Sequence, residues 1–423
     1  MALRSLRPGG PTPQGSFTEA SRDKGRQMMV SDQEIVERFP VGYHPLHPNV
    51  SLNFQLNRFY GWANEERMLE ELRTVAPRVS DYADWTRVML EFSDKALAAG
   101  RQLPAAYYAR AAQFFLGRDD PRFAPALRRF LDNAEAGNGV TATDRHSVPY
   151  GTTRLTAYRF APARPRGTIV VFGGYDSYIA EWLPAALALR DAGLDTVIFD
   201  GPGQGTVLDA GTAMTPDWHL PVSAVLDHFG LSDVTLAGFS LGGCLVMRAA
   251  AHEPRVARVI AWDILTDLFE ASRALFESVG LGALTADFDS LPAPVLDAAV
   301  KEGCRSDLLL DWFVEQGRRV MGVDTASSLF RAWNTYRTDD VSHLVTQDVL
   351  LLAGAADHYV PLHMLGDQVL TLPAARSVGA RVFTETEQAQ NHCQIGNQGL
   401  ALKVILDWLD QVDGRSAEPS ALD

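Results

Sequence analysis

The sequence predicts an α/β protein with a mostly parallel central sheet and helices on both faces. Beyond Gly139, short β-branched runs end in Gly or Asp, among them GTIVVFGG, VARVIAWD and DVLLLAGAAD. Continuous apolar strands of this kind are typical of a parallel sheet that is buried on both faces. Segments long enough for crossover helices, such as AEWLPAALALRDAG and LGGCLVMRAAAHEP, separate the runs. This alternation places ligands at the carboxyl ends of the strands.

The composition is that of a globular protein and excludes several classes of partner. The chain has 423 residues, 46% of them hydrophobic and 21% charged, which favours one large domain with an appendage. A formal net charge of -14 argues against nucleic acid, and no apolar run approaches the length of a membrane span. The three cysteines, Cys244, Cys304 and Cys393, lack metal-ligand spacing and fit a reducing cytoplasm. We therefore expect no metal and no cofactor.

Changes in pattern divide the chain into six segments. Residues 1–35 mix Arg, Pro, Gly and Ser without apolar periodicity, which predicts a flexible tail. Residues 36–139 have helical spacing and form a predicted cap or dimer contact. The α/β core spans 140–265 and 342–412, a helical lid insertion spans 266–341, and 413–423 is a predicted flexible C-terminus.

The motif Gly238-Phe239-Ser240-Leu241-Gly242 fits the G-x-S-x-G nucleophile elbow. A strand-like run, VTLAG, precedes Ser240 and a helical run follows it, as the elbow requires. The glycines leave room for the sharp bend. The alternative is an ordinary strand-to-helix turn in which Ser240 only caps the helix. The context favours Ser240 as the nucleophile.

A nucleophilic serine needs a base, and the base needs an acid that orients it. With this elbow, the expected chain order is serine, acid, histidine. Asp357 follows the strand-like run DVLLLAGAAD, and His392 follows the last such run, ARVFTET. His358 and His363 come too early for the base, since they lie in or near the loop of the acid. Asp357 could instead be only a turn residue.

The negative charge that forms on an attacked carbonyl oxygen needs backbone donors. One predicted donor is the amide of Leu241, and the other is the amide of Tyr175 or, second, of Gly174, in FGGYDSYIAEW. Asp176 and Ser177 are candidates for the pocket wall, or they could instead stabilise the turn. The motif DGPGQG at 200–205 lacks the spacing of a phosphate loop and indicates a tight turn.

Together these motifs resemble the α/β-hydrolase superfamily over about residues 140–412. The additional segments LNRFYGW, GGYDSYIAEW and DGPGQG are similar to one branch of it. That branch contains 2,6-dihydroxypseudooxynicotine hydrolase, Ayg-type polyketide-shortening hydrolases and FrsA-like proteins. The resemblance implies hydrolysis of a carbon–carbon bond beside a ketone, a helical cap over the site, and a homodimer. It also implies a pocket acid after the sixth strand, for which Asp263, Asp267 and Glu270 are all candidates.

The leading hypothesis is a cytoplasmic serine hydrolase that cleaves a carbon–carbon bond next to a ketone in a bulky aromatic or polyketide-like small molecule. The same residues would serve an esterase, thioesterase, lactonase or acyltransferase, because specificity depends on the cap rather than on the triad. A third hypothesis is a non-catalytic ligand-binding protein with this fold. The presence of serine, acid and histidine together disfavours it.

Overall fold

The computed structural model describes residues 31–286 and 288–417 and is built around an eight-stranded sheet. The strands are β1 (Arg145–Tyr150), β2 (Thr153–Phe160), β3 (Gly167–Phe172), β4 (Leu194–Asp200), β5 (Val234–Phe239), β6 (Val256–Trp262), β7 (Asp348–Gly354) and β8 (Ser377–Phe383). Their spatial order is β1-β2-β4-β3-β5-β6-β7-β8. β2 pairs antiparallel with β1 and β4, and the remaining pairs are parallel. The predicted mostly parallel α/β sheet is confirmed.

The apolar runs coincide with the strands, whereas β1 has no such signal. Every residue of β4, β5 and β7 is buried, as expected for strands covered on both faces. In β1 only Val148 is buried, and the strand lies at the edge of the sheet. Its sequence, RHSVPY, is therefore free to be polar.

Helices surround the sheet in three groups. The N-terminal group contains α1 (Asp32–Val36), α2 (Val50–Ala63), α3 (Glu66–Leu72), α4 (Tyr82–Ala98), α5 (Gln102–Phe114) and α6 (Phe123–Gly137). The first part of the core adds α7 (Leu183–Asp191), α8 (Gly205–Asp209), α9 (His219–Phe229) and α10 (Leu241–Ala250). The insertion contains α11 (Leu268–Ser278), α12 (Gly282–Ala286), α13 (Ala293–Ser306), α14 (Leu308–Met321) and α15 (Ala326–Trp333), and α16 (His363–Leu370) and α17 (Gln398–Ala417) complete the core.

The helices at the two ends of the described part extend a few residues into the segments predicted to be flexible, 1–35 and 413–423. Residues 1–30 and 418–423 lie outside the described part. Within it, Ser31 caps α1 through a capping box, and Ile35 is completely buried. At the other end, α17 continues to Ala417, past the predicted boundary at 413. The two helices pack against each other, and this contact orders both boundaries.

The sheet separates two apolar clusters through the alternation of its side chains. Ile169 and Val171 of β3 join the cluster that contains the N-terminal helices, α7 and α17. Val170 and Phe172 join the opposite cluster, with α9, α10 and most of the insertion. This period of two is the geometry of a strand. Within the described ranges, no helix combines the length and the apolar character needed to cross a membrane.

Candidate active site

Ser240 sits on a strained bend between β5 and α10. Its φ and ψ are 59° and -122°, a combination that costs a non-glycine residue of the order of 1–3 kcal/mol. The Ser240 amide donates to the Trp262 carbonyl oxygen at 2.9 Å, which fixes the bend to the neighbouring strand. A Cβ on Gly238 would overlap the carbonyl of Gly242. The motif thus has glycine where the backbone segments meet.

The alternative in which Ser240 serves as a helix cap does not agree with this geometry. Ser240 occupies the N-cap position of α10, but its side chain makes no capping hydrogen bond. Ser240 is partly exposed and lines the large cavity described below. The hydroxyl therefore lies at a cavity wall and not over the helix end.

Asp357 and His392 come together at the carboxyl edge of the sheet. Asp357 Oδ2 lies 2.7 Å from His392 Nδ1, and Asp357 Oδ1 accepts the amides of Tyr359 at 2.7 Å and Val360 at 3.0 Å. The carboxylate is thus fixed by its own loop. Because Nδ1 faces this acid, the Nδ1–H tautomer leaves Nε2 as the basic nitrogen of the ring. His392 and Ser240 line the same cavity.

Burial and the neighbouring charges have opposite effects on the pKa of His392. Burial disfavours the imidazolium, but the adjacent Asp357 carboxylate outweighs this effect, and the pKa of His392 is raised well above 6.5. The pKa of Asp357 is lowered, because attraction to His392 outweighs the effect of burial. The Asp357 carboxylate therefore stabilises the imidazolium form of His392.

The three acids expected after the sixth strand occupy different places. Asp263 lies behind His392, with its Oδ2 3.2 Å from Nδ1, and does not line the cavity. Asp267 caps α11 by accepting the Glu270 amide at 2.9 Å. The Glu270 carboxylate faces His363 at 3.1 Å and is about half exposed. None of the three is among the described residues that line the cavity, so a pocket acid after β6 stays a prediction.

The glycine-rich loop after β3 meets the start of α10. A Cβ on Gly174 would lie 2.7 Å from the Phe239 carbonyl oxygen and 2.9 Å from the Leu241 amide nitrogen. Gly174, Tyr175 and Leu241 all line the cavity beside Ser240. The Tyr175 side chain is turned away, since its hydroxyl donates to the Phe313 carbonyl at 3.2 Å. The backbone, rather than that side chain, is available at this point.

Gln204 holds this loop in place, a role that the sequence did not reveal. Its Nε2 donates to the carbonyl oxygens of Gly173 at 2.6 Å and Gly174 at 3.2 Å. Its Oε1 accepts the Gly201 amide at 3.1 Å. The DGPGQG motif is a tight turn, as predicted, and it also supplies this anchor. The sequence shows only a glutamine in a glycine-rich turn, and the structure shows that this glutamine is buried.

A buried ion network supports the loop from the N-terminal helices. Glu181 is completely buried and contacts Arg58 at 2.7 Å and Arg110 at 2.6 Å. Arg110 also donates to the Asp176 carbonyl oxygen at 2.7 Å, and Arg58 lies 3.1 Å from the Asp176 carboxylate. Sequence reasoning missed both arginines, whose signal was a charged residue within an apolar helical stretch.

Residues of the N-terminal helices, of the core and of the insertion line the cavity. It contains about 1240 Å³ of empty space, a volume that includes space open to solvent. Apolar side chains dominate it and come from α2, α11 and α14, including Phe54, Leu268, Leu275, Leu309, Trp312 and Phe313. Its polar residues include Arg58 and the predicted Asp176 and Ser177. Such a space suits a large, mostly apolar ligand with a few polar atoms.

In the described part of the chain, one group of side chains has the spacing of a metal site. Ligand atoms of Asp263, His392 and Cys393 lie within 4.8 Å of one another. The Asp263 carboxylate already accepts hydrogen bonds from the Cys393 amide and from Gln394 Nε2. Both hydrogen bonds compete with a metal ion for the oxygens of Asp263.

If the loop after β3 supplies an oxyanion donor, as the sequence predicts, replacing Gly174 with alanine should lower kcat by about 10²- to 10³-fold, the usual loss of one such donor. The added methyl group would push the loop away from the Leu241 amide. The check is kcat on an activated ester. Gly366→Ala is the matched control, because a Cβ at Gly366 meets nothing within 4 Å. A Gly174→Ala enzyme with unchanged kcat would contradict the assignment.

Comparison with known proteins gives a consistent result. A family model described as alpha/beta hydrolase fold matches residues 167–377. Hydrolyase poxO of Penicillium oxalicum is 25% identical over 377 residues, which covers 78% of this chain and 89% of that protein. The 20-hydroxy-prefusarin hydrolase FUS2 of Gibberella moniliformis is 27% identical over 358 residues, covering 75% and 84%.

A solved structure is similar to this chain over most of its length. The crystal structure of 2,6-dihydroxy-pseudo-oxynicotine hydrolase matches with a TM-score of 0.59 and 21% identity. The match covers 83% of this chain and 94% of that one. At this identity the likeness shows a shared fold, and the coverage includes more than the region matched by the family model.

Proposed function

Because the chain belongs to the α/β-hydrolase superfamily, we propose that this hydrolase uses Ser240 as its nucleophile, His392 as its base and Asp357 as its acid. One observation carries the proposal. A serine held in a strained bend and a histidine paired at 2.7 Å with a buried carboxylate face the same cavity. This is the arrangement by which geometry identifies such triads.

In the proposed first step, Ser240 Oγ bonds to a carbonyl carbon while His392 Nε2 takes the hydroxyl proton. The carbonyl π electrons move to the oxygen, and the amides of Leu241 and of Tyr175 or Gly174 stabilise that oxyanion. The imidazolium that forms is stabilised by Asp357. All of these groups lie at the carboxyl edge of the sheet.

For a ketone with a second carbonyl, collapse of this intermediate would break the adjacent carbon–carbon bond. The bonding electron pair leaves on the carbon as an enolate, which His392 protonates. The acyl group remains as an ester of Ser240, and water, deprotonated by His392, releases it as a carboxylic acid. No oxidant, metal or cofactor enters this balance.

The cavity favours a bulky aromatic or polyketide-like substrate. Its apolar lining and its size fit a large ring system or chain, and Arg58 and Asp176 offer polar contacts within it. One similar protein is named 20-hydroxy-prefusarin hydrolase, which supports hydrolysis of an organic small molecule. Hydrolysis of an ester, thioester or lactone would use the same residues.

Covalent labelling tests the nucleophile. A fluorophosphonate should modify Ser240, located by peptide mass spectrometry, and Ser240→Ala should remain unlabelled. Matched substrates then test which bond is cleaved. The purified enzyme is assayed with a bulky aryl 1,3-diketone and with the corresponding ester. Ester turnover without diketone cleavage would overturn carbon–carbon hydrolysis but leave the serine mechanism intact. Labelling at another serine would overturn Ser240 as the nucleophile.

We expect kcat/KM to rise with pH along an acidic limb whose midpoint lies above 6.5. Activity needs neutral His392, and its raised pKa keeps it protonated to a higher pH than an ordinary histidine. Burial lowers the pKa of the neighbouring His358 to about 4, so His358 stays neutral over this range. Initial rates across pH check this, and reassay at neutral pH excludes unfolding. A midpoint below 6.5 would contradict it.

We also propose a cytoplasmic homodimer. The three cysteines are unpaired, which suits a reducing compartment. The family resemblance supports the dimer. Light scattering on the full chain tests the oligomeric state, and a monomer at all concentrations would contradict it.

A further inference from the structure

Two carboxylates approach the same nitrogen of His392. Asp357 Oδ2 lies 2.7 Å from Nδ1 and Asp263 Oδ2 lies 3.2 Å from it. Asp357 comes from the loop after β7, whereas Asp263 directly follows β6. Because Nδ1 carries one proton, the two acids compete for one donor. The mechanism described above uses only Asp357.

The backbone around Asp263 is arranged to hold this carboxylate in place. Asp263 is 1% exposed and has a φ of 66°. Its Oδ2 accepts the Cys393 amide, and its Oδ1 accepts Gln394 Nε2 at 2.9 Å. Cys393 and Gln394 also have positive φ angles, of 50° and 51°. Left-handed residues from both loops therefore meet at one buried carboxylate beside His392.

We infer that Asp263 is a positioning residue, a second acceptor for the Nδ1–H of His392 that can replace Asp357. It acts through His392, because it does not line the cavity. The inference rests on the proposed function, which takes His392 as the base. It assigns to the end of β6 an acid that the mechanism itself does not require.

The electrostatics of the site support this exchange. Burial and the neighbouring Asp357 charge raise the pKa of Asp263 to about 7. If Asp357 becomes an amide, that repulsion disappears and ionisation of Asp263 becomes easier. Asp263 then balances the imidazolium in place of Asp357. The remaining groups close to Asp263 are His392 itself, the Cys393 thiol and the amide of Gln394.

Kinetics of two variants test the inference. Replacing a triad acid by its amide usually costs about 10⁴-fold in kcat. We expect Asp357→Asn to lose at most about 100-fold and Asp357→Asn/Asp263→Asn to reach the full loss of about 10⁴-fold. KM should stay close to that of the wild type. A 10⁴-fold loss in Asp357→Asn, with no further loss in the double variant, would overturn the inference.

Histidine NMR titration gives a readout that does not depend on activity. In Asp357→Asn the pKa of His392 should remain above 6.5, and in the double variant it should fall below. If the role of Asp263 were purely structural, Asp263→Asn would lower the melting temperature equally in the wild type and in Asp357→Asn. It would not change the pKa of His392. If the double variant does not fold, the single variant decides, since a pKa of His392 below 6.5 there overturns the inference.

The same titration separates this inference from the proposed function. Full activity of Ser240→Ala would overturn the proposed nucleophile. The pKa of His392 in Asp357→Asn would still show whether Asp263 accepts the Nδ1–H. A supporting titration with an active Ser240→Ala would thus leave the hydrogen-bond assignment standing without the serine mechanism.

Discussion

Replacing Ser240 with alanine is expected to lower kcat by about 10⁶-fold, the loss found when a triad member is removed. The substitution deletes the oxygen that bonds to the carbonyl carbon and leaves the bend intact, because alanine has the same Cβ. The proposed oxyanion donors, the amides of Leu241 and of Tyr175 or Gly174, remain, so a residual rate of about 10³-fold over water should persist. Single-turnover and steady-state rates on an activated ester measure both quantities.

The matched control for this variant is Ser306→Ala. Ser306 is exposed at the end of α13, where its hydroxyl donates to the Gly303 carbonyl at 2.9 Å. It loses the same atom without touching the cavity, so kcat should not change. A Ser240→Ala enzyme that keeps more than about a tenth of its activity would exclude covalent catalysis by Ser240.

Replacing Glu181 with glutamine is expected to lower the free energy of unfolding by about 3–5 kcal/mol. Glu181 is 0% exposed and accepts from two arginines and from the Tyr178 amide at 3.2 Å. The amide keeps the shape but leaves Arg58 and Arg110 with less compensating charge in an interior where water cannot replace it. Urea unfolding monitored by circular dichroism gives this difference directly.

Glu91→Gln is the control for this variant, because Glu91 also pairs with two cations. Arg78 lies 2.5 Å and Lys95 2.6 Å from its carboxylate, but its side chain is 37% exposed. Solvent screening limits such a pair to about 1 kcal/mol or less. Equal losses in the two variants would show that burial does not set the energy of the network.

The pH dependence of stability gives a second check on Glu181. Burial raises the pKa of Glu181, but the attraction of Arg110 and Arg58 outweighs it and lowers the pKa from 4.5. A lowered acid pKa contributes stability above the unfolded value, and that contribution is lost as the pH falls through the folded value. The wild type should therefore lose more stability in acid than Glu181→Gln does.

The sequence was most informative where function depends on local backbone geometry. The strand–Ser240–helix pattern, the tight turn at 200–205 and the strand before Asp357 are each encoded within about ten neighbouring residues. Periodicity and glycine spacing report such features directly. The chain order also sufficed to pick Asp357 and His392, which the structure brings together across 35 positions.

The sequence was least informative about groups that meet across the fold. The sequence does not distinguish Asp263 from Asp267 and Glu270 as a candidate pocket acid. Only the structure places Asp263 behind His392. Likewise, Arg58 and Glu181 lie 123 residues apart in the chain. No local pattern records such a pairing, since it depends on how helices dock on the sheet.

By itself, then, the sequence determined the α/β architecture, the bend at Ser240 and the identity of its proposed partners. These follow from short-range rules of strand alternation, helix spacing and glycine at tight turns. Tertiary structure alone decided the shape of the cavity, the ion pairs of Glu181 and the second carboxylate at His392. Each of these requires distant segments to pack together, and packing places side chains according to the whole fold rather than to their neighbours in the chain.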